Sequence, residues 1–157
     1  IIIDHLHYVD TDDPNENRGY KAIVKQIRDV ALSVGKPVIV VAHVRKAERR
    51  AAQLVPDLDD FHGTSDTPKI STKAIMLAPA FDQKPRSPGC FATFIRPTKC
   101  RADGQRARFT AVVDFDPRTN TYASAFDLGK LSTAGDKWEA VTALPQWAIE
   151  RASAVPQ

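Results

Sequence analysis

Two runs of β-branched residues frame an amphipathic helical pattern, and this arrangement limits what the chain can fold into more than any other feature. The first run is "III" at residues 1–3, and the second is "PVIVVAHV" at residues 37–44. Continuous β-branched runs are typical of strands that are covered on both faces, as in parallel sheets. A strand, a helix and a second strand in this order predict a βαβ crossover in a parallel sheet.

The segment between the two runs carries the signals of a complete helix. Its apolar residues recur every three or four positions, which predicts one buried face. These residues are Tyr20, Ile23, Ile27, Val30 and Val34. Asn15 or Asn17 is placed to cap the start of the helix. Gly35 fits the position after the last turn, and Pro37 prevents continuation.

The remainder of the chain predicts shorter strands separated by loops and turns. Residues 45–69 are charged and lack a steady period, and a loop of that length in a compact domain is usually functional. Further strands are predicted at residues 70–80, as an antiparallel pair at 90–99 and 106–116 joined by a turn at 100–105, and as an edge strand at 122–129. We therefore predict an α/β fold with a mainly parallel sheet, a helical crossover and antiparallel hairpin strands at its end. Residues 1–128 would form this core, and residues 129–157 a tail or short helix.

Composition fits a globular domain whose charge is concentrated locally. Of the 157 residues, 43% are hydrophobic and 26% charged, and the formal net charge is +3. An anionic partner would therefore need a local patch. Residues 84–108 provide one, since seven Lys and Arg residues stand there against one acid, Asp103, a local net charge of 7 − 1 = +6.

The sequence contains neither a membrane-spanning apolar run nor a signal peptide. We therefore expect a cytoplasmic protein without a membrane partner. Cys90 and Cys100 have no metal-type spacing, so we expect free thiols in a reducing compartment. Because the chain starts without methionine, we expect it to begin inside a larger protein.

Two polar side chains follow the two predicted parallel strands. Asp4 comes directly after the first run, and His43 ends the second. Because the carboxyl ends of parallel strands meet at one edge, where ligands of α/β sheets gather, both side chains belong to that edge. Asp4 could hold a hydrated Mg²⁺ on a nucleotide phosphate, and His43 could hydrogen-bond a terminal phosphate. The alternative is that Asp4 terminates its strand and His43 is structural.

A pair of cations in "TKCRADG" forms a second candidate. Lys99 and Arg101 are two positions apart at the end of a predicted strand. Side chains two apart on an extended segment point the same way, so both could converge on one anion. A solvated basic turn is the alternative interpretation.

Taken in order, these segments resemble the C-terminal half of a RecA-like ATPase core. The similarity is closest to the hexameric replicative helicases, including the bacterial replicative helicases and the phage primase-helicases. "IIIDHLHYV" resembles the Walker B strand, "VIVVAHVRK" the next core strand, and "TKCRADG" the "KxRxG" turn that reaches the neighbouring subunit's nucleotide. "VVDFDPRTNTY" is similar to the closing hairpin, so the resemblance covers roughly residues 1–123.

The resemblance implies a part of an ATP-dependent DNA helicase that works with ATP and Mg²⁺ as a ring hexamer on single-stranded DNA. Asp4 would be the Walker B aspartate, which binds Mg²⁺ through water, and His43 would sense the γ-phosphate. Arg101 would be the arginine finger, with Lys99 as its companion. The loop after the second strand would face DNA with its cations. These are Arg45, Lys46, Arg49, Arg50 and Lys69.

The sequence also departs from this family. It contains no "GxxxxGK[ST]" phosphate loop, and the family's catalytic glutamate, which lies upstream of the Walker B strand, is missing as well. We therefore expect that this chain does not hydrolyse ATP by itself. One alternative is a non-catalytic single-stranded nucleic-acid-binding or assembly module on half of a RecA fold. Another is an α/β domain whose sheet edge binds a protein partner.

Overall fold

The computed structural model describes residues 1–6, 9–44, 53–61, 66–101 and 109–153. Within these ranges the chain forms two separate sheets and three α-helices. The strands are β1 (Ile2–Ile3), β2 (Ile39–Val40), β3 (Lys73–Pro79), β4 (Phe91–Cys100), β5 (Thr110–Asp116), β6 (Thr121–Leu131) and β7 (Trp138–Ala140). The helices are α1 (Glu16–Val34), α2 (Asp66–Ile70) and α3 (Gln146–Ser153), with a 3₁₀ turn at Leu58–Asp60.

The predicted βαβ crossover is confirmed in the smaller sheet. β1 and β2 pair in parallel, with Ile2 opposite Ile39 and Ile3 opposite Val40, and α1 connects them. The amide of Val41 extends the ladder by donating to the carbonyl of Ile3 at 2.9 Å. Because the pairing is parallel, both strands present their carboxyl ends at the same edge.

Both ends of α1 form as the sequence predicts. The side chain of Asn15 accepts a hydrogen bond from the amide of Arg18 at 3.1 Å, which satisfies one of the free donors of the first turn. Gly35 ends the helix in the left-handed region with φ of 63°, a conformation that glycine adopts without steric cost. The bounds of α1 therefore follow from these two residues.

The predicted buried face of α1 is only partly right. Tyr20 is buried, and it packs with Leu6 and Val24 in a small core between the helix and the parallel strands. Val30 and Val34, which the spacing assigned to the same face, are about half exposed. The two-stranded sheet is too short to cover the last turns of a 19-residue helix, so that part of the apolar stripe faces outward.

The prediction of a mainly parallel sheet is wrong. The larger sheet has five strands in the order β3-β4-β5-β6-β7, and all of its pairings are antiparallel. The reason lies in the connections, because parallel neighbours need a crossover, and no helix is described between successive strands from β3 to β7. Among the described strands, β1 and β2 are the pair joined by such a crossover. The expected strand at 70–80 forms β3, but it pairs with β4.

Of two further strand predictions, one is confirmed and the other is only partly right. The antiparallel pairing of β4 with β5 is confirmed, while most of the turn predicted between them lies outside the described residues. β6 forms where a strand was expected, but it is not an edge strand because β7 pairs with it. The division of the chain at residue 128 stays a prediction; that position lies within β6.

The main core lies on one face of the five-stranded sheet. Strand β3 alternates between exposed and buried residues, and it turns Met76 and Ala78 towards the fully buried Phe94 of β4. Val55 closes this core from the segment at 53–61. Trp138 packs at its margin and donates from its indole nitrogen to the carbonyl of Thr110 at 3.0 Å. Because the sheet is buried on one face, the residues of β3 alternate between buried and exposed. The opposite face of the sheet is apolar and exposed.

In the part of the chain that the structure describes, no helix combines the length and the apolar character required to cross a membrane.

Candidate functional site

The first candidate cluster lies at the carboxyl edge of the parallel strands. Asp4 follows β1 directly and is exposed, and His43 follows β2 and is exposed as well. The imidazole of His5 contacts that of His43 edge to face, with ring centroids 4.3 Å apart. The parallel pairing therefore brings the segments that carry Asp4 and His43 side by side, as the sequence predicts. His5 was not predicted for this cluster.

This edge offers a carboxylate but not a closed metal cage. In the described ranges, no three His, Cys, Asp or Glu side chains are grouped so that they could hold a metal ion. Mg²⁺ keeps several waters and often takes only one or two carboxylates from the protein, with phosphates supplying further ligands. An exposed Asp4 fits such a hydrated ion brought in with a nucleotide, and it does not fit a tightly bound resident metal.

The second candidate cluster is a group of cations at the last turn of α2. Lys99 donates from its ammonium to the backbone carbonyls of Pro68 and Lys69, the latter at 2.9 Å. Arg101 donates from Nη2 to the same Lys69 carbonyl at 2.6 Å. The two side chains therefore converge, as expected for residues two apart, but in the structure they converge on the carbonyl end of a helix. Cations are favourable there because the helix dipole is negative.

Arg28 of α1 joins this cation cluster and was missed by sequence reasoning. Its guanidinium donates to the carbonyl of Ile70 at 3.4 Å. Ile70 in turn packs against the small core beneath α1, which links the cluster to the parallel unit. Arg28 is more than forty positions from Ile70 in the sequence. Its sequence neighbours are those of an ordinary exposed position of a helix. No local signal could have identified it.

The cation cluster alters the acid–base chemistry of Lys99. Partial burial lowers the pKa of its ammonium below the ordinary value, and the positive charges of Arg101 and Arg28 add to this effect. Burial and like charges both disfavour the protonated form. An anion bound beside Lys99 would offset the positive charges of Arg101 and Arg28 and favour the protonated form of Lys99.

The predicted nucleic-acid loop is described only at its end. Lys69 lies in the last turn of α2 with an exposed side chain, and its carbonyl is the acceptor shared by Lys99 and Arg101. The other four predicted contacts lie outside the described residues. They are Arg45, Lys46, Arg49 and Arg50.

Comparison with known proteins gives no family assignment. The chain matches none of the family models against which it was scanned, and no curated protein matches it significantly. Function therefore rests on the geometry of the Asp4–His43 edge and of the cation cluster.

Proposed function

We propose that this chain contributes part of the nucleotide site of an ATP-driven helicase or translocase related to the RecA-like ring ATPases. The observation that carries the proposal is the parallel β1–α1–β2 unit, which aligns the segments bearing Asp4 and His43 at one edge. Nucleotides bind at this edge in open α/β sheets. Among the described residues, none of those proposed for this edge belongs to the antiparallel sheet, so the proposal for Asp4 and His43 rests on the parallel unit.

At this edge, Asp4 would orient the water shell of Mg²⁺, and the ion would neutralise charge on the terminal phosphates of ATP. His43 would donate a hydrogen bond to the γ-phosphate and lose that partner after hydrolysis. Its ring contact with His5 restrains its orientation. Since His43 precedes the basic loop directly in the chain, its displacement would be transmitted to the residues proposed to contact DNA.

The cation cluster would act on the nucleotide of a neighbouring subunit in the ring. A guanidinium carries five N–H groups, and the contact of Arg101 with the Lys69 carbonyl uses one of them. Other N–H groups can therefore meet phosphate oxygens while that contact persists. Lys99 would add a second positive charge, and such cations stabilise the charge that develops during phosphoryl transfer.

Paramagnetic relaxation by Mn²⁺ in the presence of ATP tests the proposal at Asp4. The ion broadens nearby NMR signals even when binding is weak, so we expect selective broadening of the Asp4 amide and of the His5 and His43 rings. Asp4→Asn should abolish this broadening because it removes the carboxylate. Asp29→Asn is the matched control, since Asp29 is an exposed aspartate on α1. Uniform broadening, or broadening that persists in Asp4→Asn, would overturn the proposal.

A non-catalytic single-stranded nucleic-acid-binding module is the second candidate, and the cation cluster favours it. Lys99, Arg101 and Arg28 meet at one helix turn, where a backbone phosphate could bind as well as a nucleotide. This candidate predicts single-strand binding that does not depend on nucleotide, so any loss of binding in Arg101→Ala should be the same with and without nucleotide. A nucleotide-dependent change in DNA affinity that is lost in Arg101→Ala would favour the ATPase.

A further inference from the structure

The face of the five-stranded sheet opposite Phe94 carries a patch of exposed large apolar side chains. Residues directly opposite each other in antiparallel strands share a face, and Phe91, Phe115 and Tyr122 form such a row across β4, β5 and β6. The rings of Phe115 and Tyr122 lie 5.1 Å apart. The members with the greatest exposure, between 47% and 63%, are Ile75, Leu77, Phe91, Tyr122 and Phe126. We call this surface the aromatic face.

A hollow of about 560 Å³ opens at one end of the aromatic face. Leu77 and Pro79 of β3 form one side of it, and the row of Phe91, Phe115 and Tyr122 forms the other. Its lining is mainly apolar, with few groups that could orient a polar ligand. A specific small-molecule site usually combines apolar walls with convergent polar groups, so this hollow suits an apolar side chain better.

A protruding aromatic ring stands beside the hollow. Phe81 follows β3 and contributes to the rim, and at 85% exposure it is the most exposed large hydrophobic side chain among the described residues. The connection that carries it is anchored, because the buried carboxylate of Asp114 accepts from the amides of Arg86 and Ser87 at 2.8 and 3.0 Å. One surface therefore presents both a protruding ring and a hollow that can receive one.

Two arginines at the margins of the five-stranded sheet are paired with carboxylates. Arg86 pairs with Asp127, and Arg118 pairs with Asp116 at 2.9 Å. Nucleic acids are held mainly by cations that neutralise phosphates, and these arginines are occupied by carboxylates. The exposed members of the aromatic face carry no charge, so the face favours an apolar partner, such as another surface of the same kind.

We propose that the aromatic face docks a second copy of this chain in a two-fold symmetric contact, with Phe81 of each copy inserted into the hollow of the other. A two-fold contact requires a self-complementary surface, and a ring beside a hollow meets that requirement. A fully exposed large side chain presents about 200 Å² of surface. Weighted by their exposed fractions, Phe81 and the five exposed members of the face together present roughly 700 Å² per copy. A standard stable interface buries about 800 Å² per partner. Two packed sheet faces would form the contact.

Sedimentation velocity over a wide range of protein concentration tests the contact. We expect a reversible dimer whose dissociation constant rises at least about 30-fold in Phe81→Asp, as for a central interface residue. Leu32→Lys is the matched control, because Leu32 is also exposed, at 69%, but lies on α1. It should leave the dimer unchanged. Circular dichroism confirms that both variants fold. A chain that stays monomeric at every concentration, or a dimer that Leu32→Lys weakens equally, would overturn the proposal.

The thiol of Cys90 gives a second, local readout because it lines the hollow. In a Cys100→Ser background, labelling of Cys90 should slow as the dimer forms and should stay fast in Phe81→Asp. In a Cys90→Ser background, labelling of Cys100 at the end of β4 should not depend on concentration. Protection of Cys90 by a single-stranded oligonucleotide while the chain remains monomeric would refute the proposal in favour of nucleic acid. Arg101→Ala should not affect this dimer, so the test is independent of the proposed ATPase.

Discussion

At the scale of single residues, Asp114 does more for the architecture than any ion pair on the surface. Asp114 is only 6% exposed, and its carboxylate accepts hydrogen bonds from two backbone amides of the connection between β3 and β4. By contrast, the carboxylate of Asp127 is half exposed and pairs with the side chain of Arg86. Buried charge-assisted hydrogen bonds contribute more than exposed ion pairs, because removing one partner leaves desolvated donors unsatisfied.

We therefore expect Asp114→Ala to lower the free energy of unfolding by about 2–4 kcal/mol, since two amides lose their acceptor. Asp127→Ala, which removes only the exposed partner of Arg86, should cost less than about 1 kcal/mol. Urea unfolding of both variants measures the difference. Equal losses would mean that the connection bearing Phe81 is not held by Asp114.

At the scale of elements, the start of α1 is fixed by a compact polar cluster. Arg18 makes two side-chain hydrogen bonds to Asp13, and Asp13 also accepts from the amide of Asn15 at 2.8 Å. The hydrogen bond from Arg18, followed by that from Asn15, lowers the pKa of the Asp13 carboxyl below its ordinary value. The folded state therefore prefers the ionised form of Asp13.

This preference determines the direction in which the stability of the folded chain changes with pH. Because the pKa of Asp13 is lower in the folded chain, its contribution to stability is complete above the pKa of the unfolded chain. It is lost as the pH falls through the folded-state pKa. We expect a ¹³C titration of the Asp13 carboxyl to give a midpoint below the ordinary value, and Arg18→Gln to raise it. Asp29→Asn should not shift the midpoint, and a normal midpoint in the unchanged chain would contradict the expectation.

The secondary-structure elements also show which predictions the local sequence can support. Caps and periodicity are local, so Asn15, Gly35 and the order of strand, helix and strand could be predicted. Pairing is not local: the antiparallel pairing of 90–99 with 106–116 was predicted, but the sheet as a whole was wrongly expected to be mainly parallel. The short connection at Pro117–Asn120, where Asn120 has φ of 53°, is a turn signal that favours an antiparallel return.

The candidate site likewise has one part that the sequence predicts and another that it does not. The shared edge of Asp4 and His43 follows from the parallel crossover, so it could be derived before the structure. The partners of Lys99 and Arg101 could not, because helix α2 and Arg28 reach them through tertiary packing. Likewise, β4 and β6 each contribute aromatic residues to one face, but their alignment depends on a register that alternation alone does not determine.

At the scale of the whole molecule, positive charge and apolar surface are separated. The exposed members of the aromatic face carry no charge, whereas Lys99 and Arg101 of the cation cluster donate to backbone carbonyls, which do not neutralise their charge. We therefore expect a polyanion at the cation cluster, and at the loop proposed to contact DNA, rather than at the aromatic face. A copy of the chain could occupy the aromatic face at the same time.

Single-stranded DNA binding by the loop should consequently depend on salt. If each of four loop cations neutralises one phosphate, replacing all four by alanine should reduce the slope of log K against log salt by about 3. The four are Arg45, Lys46, Arg49 and Arg50. Fluorescence anisotropy of a labelled oligothymidine at several salt concentrations measures the slope.

The control removes the same charge elsewhere. Four exposed lysines are replaced together, namely Lys36, Lys84, Lys130 and Lys137. Both quadruple variants have the same net charge, so a general change in the field of the molecule would weaken binding equally in both. Direct phosphate contact would change the slope only in the loop variant, because counterions are released only where a cation meets a phosphate. Equal slopes in the two variants would exclude the loop as the DNA contact and leave the cation cluster at α2 as the remaining candidate.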